Sequence, residues 1–198
     1  MDGASFVLWK GLDMRRICMA FLALLPLACA QLKPTCTRAP TDRPAPCPEP
    51  IENLEQLARM SEGELASLYV NSSPGLLPTG YTPGIAIFNP GTASAEPLAR
   101  LIRNTAWQGK YFPNPTTMTN RAFGLKMISA DVSLGNSWYD GQPSLIFDYC
   151  ERSVLAHNHR DEVREISPGI YLGIMFRKGL TNPKLVSWFA LDARKCAE

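Results

Sequence analysis

Glu162-Val-Arg-Glu-Ile-Ser-Pro-Gly-Ile-Tyr-Leu-Gly-Ile-Met-Phe-Arg177 decides the fold. Two runs rich in β-branched and aromatic residues flank Ser167-Pro168-Gly169, a turn sequence, with no helix-length insertion between them. Strands joined this way are antiparallel neighbours. The same grammar continues outward. Leu185–Leu191 follows the turn Thr181-Asn182-Pro183, and Ser144–Tyr149 follows Tyr139-Asp140-Gly141-Gln142. Trp107–Phe112, Asn120–Met127 and Ser129–Ser137 read as three earlier strands, the first closed by Pro113-Asn114-Pro115. Gly84–Phe88 is one more, ending in Asn89-Pro90-Gly91. Short strands on tight turns make an antiparallel meander, and seven or eight of them suffice to close a β-barrel without exposed edges. In Ser144–Tyr149, Leu145, Phe147 and Tyr149 alternate with Ile146 and Asp148, so both faces are partly apolar. That fits a wall packed on helices outside and lining an interior inside.

Helices precede the strands. Ile51, Leu54, Leu57 and Ala58 recur at helical spacing, and Ser61-Glu62-Gly63-Glu64 is a capping sequence for a second helix carrying Leu65, Leu68 and Tyr69. Glu96–Asn104 reads as a third, with Leu98, Leu101 and Ile102 inward. The expectation is a mainly β protein, an antiparallel meander barrel with short N-terminal helices, occupying 51–198 as one domain.

The first fifty residues read as an address. Met14-Arg-Arg and the apolar run Ile17–Ala28 end in Ala28-Cys29-Ala30, the pattern of a secretory signal over residues 1–30 whose translation start is Met14. The run is shorter than the roughly 20 residues of a spanning helix. Cleavage at Gln31 competes with lipidation of Cys29, since Leu27-Ala28-Cys29 matches the end of a lipobox. Lipidation would make a membrane surface a partner. Residues 31–50 hold six prolines and form an extended linker. The expected location is therefore the periplasm, the outer envelope or outside the cell. Cys36, Cys47, Cys150 and Cys196 remain after cleavage, and Cys36–Cys47 with Cys150–Cys196 is the favoured of three disulfide pairings.

Charge excludes one class. The chain of 198 residues carries +2, and six basic against four acidic residues before position 51 account for all of it. Nucleic acid is not an expected partner of a neutral domain.

Trp107-Gln-Gly-Lys-Tyr-Phe112, Asn120-Arg121, Ser137-Trp-Tyr-Asp-Gly-Gln-Pro-Ser144, Asp148-Tyr149, Arg160-Asp-Glu-Val-Arg-Glu165 and Pro168-Gly-Ile-Tyr-Leu-Gly173 are the distinctive runs. Together they resemble a family of poorly characterised bacterial and fungal proteins that pair a Trp-x-Gly-Lys strand with an Arg-Asp-Glu-Ile-Arg-Glu segment. The layout is also similar to lipocalin-like (calycin) barrels. The resemblance spans roughly 80–192 and implies a cavity for a small apolar molecule.

The candidate site follows from alternation. Glu162, Arg164 and Ile166 share one face of their strand, so Arg164 is expected inward, paired with Asp148 as the polar handle for an amphipathic ligand. Trp107, Trp138, Tyr149 and Tyr171 are the expected walls, with Trp188, Tyr139 and Phe189 as further candidates. His157, His159 and Asp161 would share one face of an extended strand and have metal-ligand chemistry, but a polar hairpin tip is the expected reading. No Gly-x-Ser-x-Gly and no phosphate-cradling glycine loop occurs, so no cofactor is expected. The leading expectation is an exported barrel binding a small apolar or amphipathic ligand. The alternatives are a barrel enzyme on a lipid- or phenol-like substrate, using an inward carboxylate, and a structural envelope protein with a filled barrel.

Overall fold

A computed structural model of the chain describes residues 51–195. The signal, Cys29, the linker, Cys36, Cys47 and Cys196 lie outside the described residues. Three helices, α1 (Leu54–Arg59), α2 (Glu62–Val70) and α3 (Ala95–Thr105), accompany eight strands. The strands are β1 (Gly80–Ile87), β2 (Trp107–Asn114), β3 (Thr117–Ala122), β4 (Leu125–Asn136), β5 (Pro143–Asp148), β6 (His159–Ser167), β7 (Ile170–Arg177) and β8 (Lys184–Asp192). They pair antiparallel in sequence order, and β8 returns to β1 with Gly84 opposite Leu191, closing the barrel. The expected mainly β meander barrel with short N-terminal helices is thus the architecture seen.

Two apolar clusters divide the strands by parity. Inside lie Phe112, Met118, Ala130, Leu145, Phe147, Val163 and Phe189, contributed by β2 to β6 and β8. Outside, Ile85, Ile87, Leu172, Ile174, Trp188 and Ala190 are covered by Leu54, Leu57, Leu65 and Tyr69 of the first two helices. β1, β7 and β8 are therefore buried on both faces, which explains their near-continuous apolar sequence. Both covering helices start in a reciprocal capping box, Asn53 with Gln56 and Ser61 with Glu64. The end of the fold is fastened to its beginning: after β8, Arg194 donates to the carbonyls of Ile51 (3.3 Å) and Glu52 (2.8 Å).

Two expectations are corrected. Asn120–Met127 is not one strand, because a two-residue turn at Phe123-Gly124 splits it, and Leu125 onward joins the next strand. Phe123 sits at φ 52° and Gly124 at φ 76°. Two left-handed residues are what a primed hairpin turn needs, and a phenylalanine gives no sequence signal for one. Its strain costs about 1 kcal/mol or more. In α3 it is Ala95 and Ala99 that are buried, while Leu101 faces solvent.

Candidate functional site

Inside the barrel, β2, β3 and β6 and the end of β5 converge on a buried polar cluster. A register shift between Trp107 and Gly109 places Trp107 and Lys110, three apart, on the same inner face. Gly109 lies against β1 so closely that a Cβ would stand 2.2 Å from the Thr82 carbonyl oxygen, so glycine is required there. On β3, Asn120 alternates inward with Met118 and Ala122. On β6, Asp161 alternates inward with Val163.

Lys110 is buried and uses all three ammonium protons. Nζ donates to Asp161 Oδ2 at 2.7 Å, Asn120 Oδ1 at 2.9 Å and the Tyr149 hydroxyl at 3.0 Å. Tyr149 in turn donates to Asp161 Oδ2 at 2.7 Å and accepts from Asn120 Nδ2 at 3.0 Å. Trp107 Nε1 donates to Asn120 Oδ1 at 2.9 Å. The second proton of the Asn120 amide goes to the Ile128 carbonyl at 3.1 Å. Ile128 holds φ 64°, which a β-branched residue adopts only under constraint. Rings enclose the ammonium: its nitrogen lies 5.0 Å from the Phe189 centroid and 5.5 Å from those of Trp107 and Phe147.

One atom in this network is open. Asp161 Oδ1 is buried without a hydrogen-bond partner, as is Thr82 Oγ1 on β1. Burial lowers the Lys110 ammonium from its ordinary value, and the Asp161 carboxylate opposes that shift. Burial, reinforced by the Asp161 charge, raises the Tyr149 phenol well above its own. The cluster thus holds a cation and an anion in contact, a phenol kept neutral, and a single vacant acceptor.

The expected handle is not formed. Arg164 lies outside the inner wall, because Val163 takes the interior and β6 alternates. Its guanidinium donates to Asp140 through two bonds of 2.7 and 2.6 Å, and to the Tyr69 carbonyl at 3.0 Å. Asp148 pairs with Lys178 at 3.0 Å and is opposite Arg160 in register, four residues from Arg164. At about 3.3 Å per residue the two groups stand too far apart to meet. Asp148 is also no inward carboxylate, which removes it from the enzyme alternative.

Of the expected walls, Trp107 and Tyr149 belong to the cluster, and Tyr171 is inside, its hydroxyl donating to the Leu76 carbonyl. Trp138 is not. It lies on the Ser137–Gln142 turn, between the Arg160 guanidinium at 4.3 Å and Phe176 at 5.9 Å. That turn is clamped from below: Glu162 accepts from the Trp138 N–H at 2.8 Å and from the Ser137 hydroxyl. Tyr139 and Trp188 meet edge-on outside the barrel at 5.8 Å. His157 is exposed on the loop before β6, its Nδ1 at 3.0 Å from the Val154 carbonyl, while His159 begins the strand. Cys150 is exposed and unbonded among the described residues.

Sequence reasoning missed Lys110 and Asn120. The signal was available in Trp107-Gln-Gly-Lys110: a glycine just before the lysine allows a bulge, and a bulge turns that lysine to the face of the tryptophan. Open clefts lie outside the barrel, one of about 430 Å³ between Glu62, Ile87, Pro90 and Trp188, another of about 310 Å³ beside Glu55 and Arg103.

No family model matches the chain, and no curated protein matches it. A solved structure described as a protein from Thermomonospora curvata is similar, with 19% identity over 68% of this chain and 88% of that one, at a TM-score of 0.42.

Proposed function

We propose that the barrel recognises a small, predominantly apolar molecule and anchors it by a hydrogen-bond donor placed on Asp161. One observation carries this reading: in a buried network saturated at Lys110, Asn120, Tyr149 and Trp107, the Oδ1 atom of Asp161 alone lacks a partner. A buried acceptor left open costs about 1–3 kcal/mol, which a guest bearing a donor recovers. The enclosing rings favour an apolar body. Lys110 and Asp161 already neutralise each other, so the guest is uncharged. An alcohol or a phenol fits; a carboxylate headgroup would set acceptor against acceptor, and Arg164 is not there to receive it.

The test titrates the full chain with an alkylphenol, an aliphatic alcohol and a fatty acid, following tryptophan fluorescence and melting temperature. The expected result is binding of the two donors and not of the acid, weakened in Asp161→Asn. Preference for the acid, or no response to either donor, overturns the reading. A second reading, a packed structural barrel, is favoured by Phe189, whose ring lies 2.2 Å from where a Cβ on Gly173 would stand and so fills the interior. In that case no donor binds, and the double variant Lys110→Met, Asp161→Leu melts at or above the parent temperature, as apolar replacements of buried pairs often do.

Export is proposed on Met14–Ala30 alone. Intact mass of the protein from an envelope fraction should begin at Gln31 or at a lipidated Cys29; a chain retaining its first thirty residues overturns it.

A further inference from the structure

In a closed antiparallel meander the β1–β2, β3–β4, β5–β6 and β7–β8 connections all emerge at one end. Two of these loops carry the same pattern. The β3–β4 hairpin reads Arg121-Ala-Phe-Gly-Leu-Lys126 and the β7–β8 connection reads Arg177-Lys-Gly-Leu-Thr-Asn-Pro-Lys184. Each sets large apolar residues between cations and contains no acid. Leu180 is fully exposed, and Phe123 and Leu125 are mostly so. None of the three belongs to either apolar cluster. Lys178 is held by Asp148, but Arg121, Lys126, Arg177 and Lys184 have no carboxylate partner among the described residues. Arg121 and Lys126 instead lie over the rings of Tyr81 and Tyr111, on the wall just behind the tip.

Phe123 is the decisive residue. It occupies a left-handed position where asparagine is at ease, and it is 56% exposed. Its N–H is held by the Ala106 carbonyl at 3.1 Å, but its ring joins neither apolar cluster, and a left-handed phenylalanine turned toward water is the kind of local conflict that marks a functional position. The opposite end differs. Its exposed rings, Trp138 and Tyr139, are held against Arg160, Phe176, Tyr69 and Trp188, beside Asp140.

We infer that this end of the barrel docks on an anionic lipid surface, Phe123, Leu125 and Leu180 entering the headgroup region and the cations behind them meeting lipid phosphates and carboxylates. Protruding apolar tips backed by uncompensated positive charge suit an interface that is apolar within and negative at its surface. This requires neither the Cys29 lipid nor the Asp161 ligand.

Flotation of the full chain on phosphatidylcholine vesicles, with and without phosphatidylserine, tests it. Binding should need the anionic lipid and fall in high salt. Phe123→Asn and Leu180→Asn should each weaken it about tenfold. Phe123→Asn should also raise the melting temperature, since asparagine accepts the turn. Leu180→Asn touches no buried group and keeps the test sound. The apolar run 17–28 is the same in every variant, so any binding through it leaves the differences intact. Unchanged affinity in both variants, equal binding to neutral vesicles, or no binding to either overturns the inference; the last would leave these tips to a protein partner.

Discussion

Arg164 and Asp140 show how one side chain fixes a loop. The guanidinium is fully buried, and the carboxylate is its only charged hydrogen-bond partner among the described residues. Asp140→Ala should therefore cost about 3–5 kcal/mol, the penalty of stranding a buried cation, read from urea denaturation. The hydrogen bond from Arg164 also holds the Asp140 carboxyl below its ordinary 3.8. That stabilisation is complete above 3.8 and disappears as pH falls through the lower folded value. Earlier in the same titration His159 acts. Burial lowers its imidazole from 6.5, so below that pH the unfolded chain takes up a proton that the folded one refuses. Melting temperature should begin to fall as pH drops through 6.5, and His159→Gln should flatten that segment of the curve while leaving the acid limb of Asp140.

At the scale of elements, helix α2 is set by the residue that caps its start, Ser61. Ser61→Ala removes the cap of its capping box and should cost about 1 kcal/mol in a thermal melt, without moving the strands. The helix start at Ser61 was legible, as were the turns at Pro168-Gly169 and Asp140-Gly141, whereas the cap at Asn53 was not read from the sequence. Strand identity was legible too, because β5 and β7 are short runs rich in β-branched and aromatic residues bounded by turn sequences. Which face is inner was not. Tyr171 and Met175 line the interior while Leu172 and Ile174 meet the helices, and both sets are apolar. Parity tells that two faces exist without telling them apart, which is why Arg164 was expected on the wrong one. Lys110 and Asn120 escaped for a related reason: the register shift beside Gly109 breaks parity where the cluster is built. Phe123 escaped because its turn uses a residue with no turn propensity. On β7, Gly173 is held to glycine by the Phe189 ring packed across it. Gly173→Val should displace that ring and cost about 1–3 kcal/mol, with a loss of near-ultraviolet circular dichroism.

For the whole molecule, closure is the costly contact. The register Gly84 to Leu191 joins strands from opposite ends of the described chain, so much of the loop entropy is lost before the barrel is rewarded with its last ladder. Refolding followed by stopped-flow fluorescence should fall in the millisecond-to-second range typical of such topologies. The outer cluster adds a second requirement, since Leu54, Leu57 and Leu65 cover strands that would otherwise show apolar side chains to water. Arg194, bonded to the carbonyls of Ile51 and Glu52, makes the two ends of this fold neighbours. The barrel is thus a ring in sequence as well as in space. A circular permutant of 51–195, with a short glycine-serine bridge from 195 back to 51 and new ends between Thr181 and Asn182, would keep every strand pair and should fold to the same barrel.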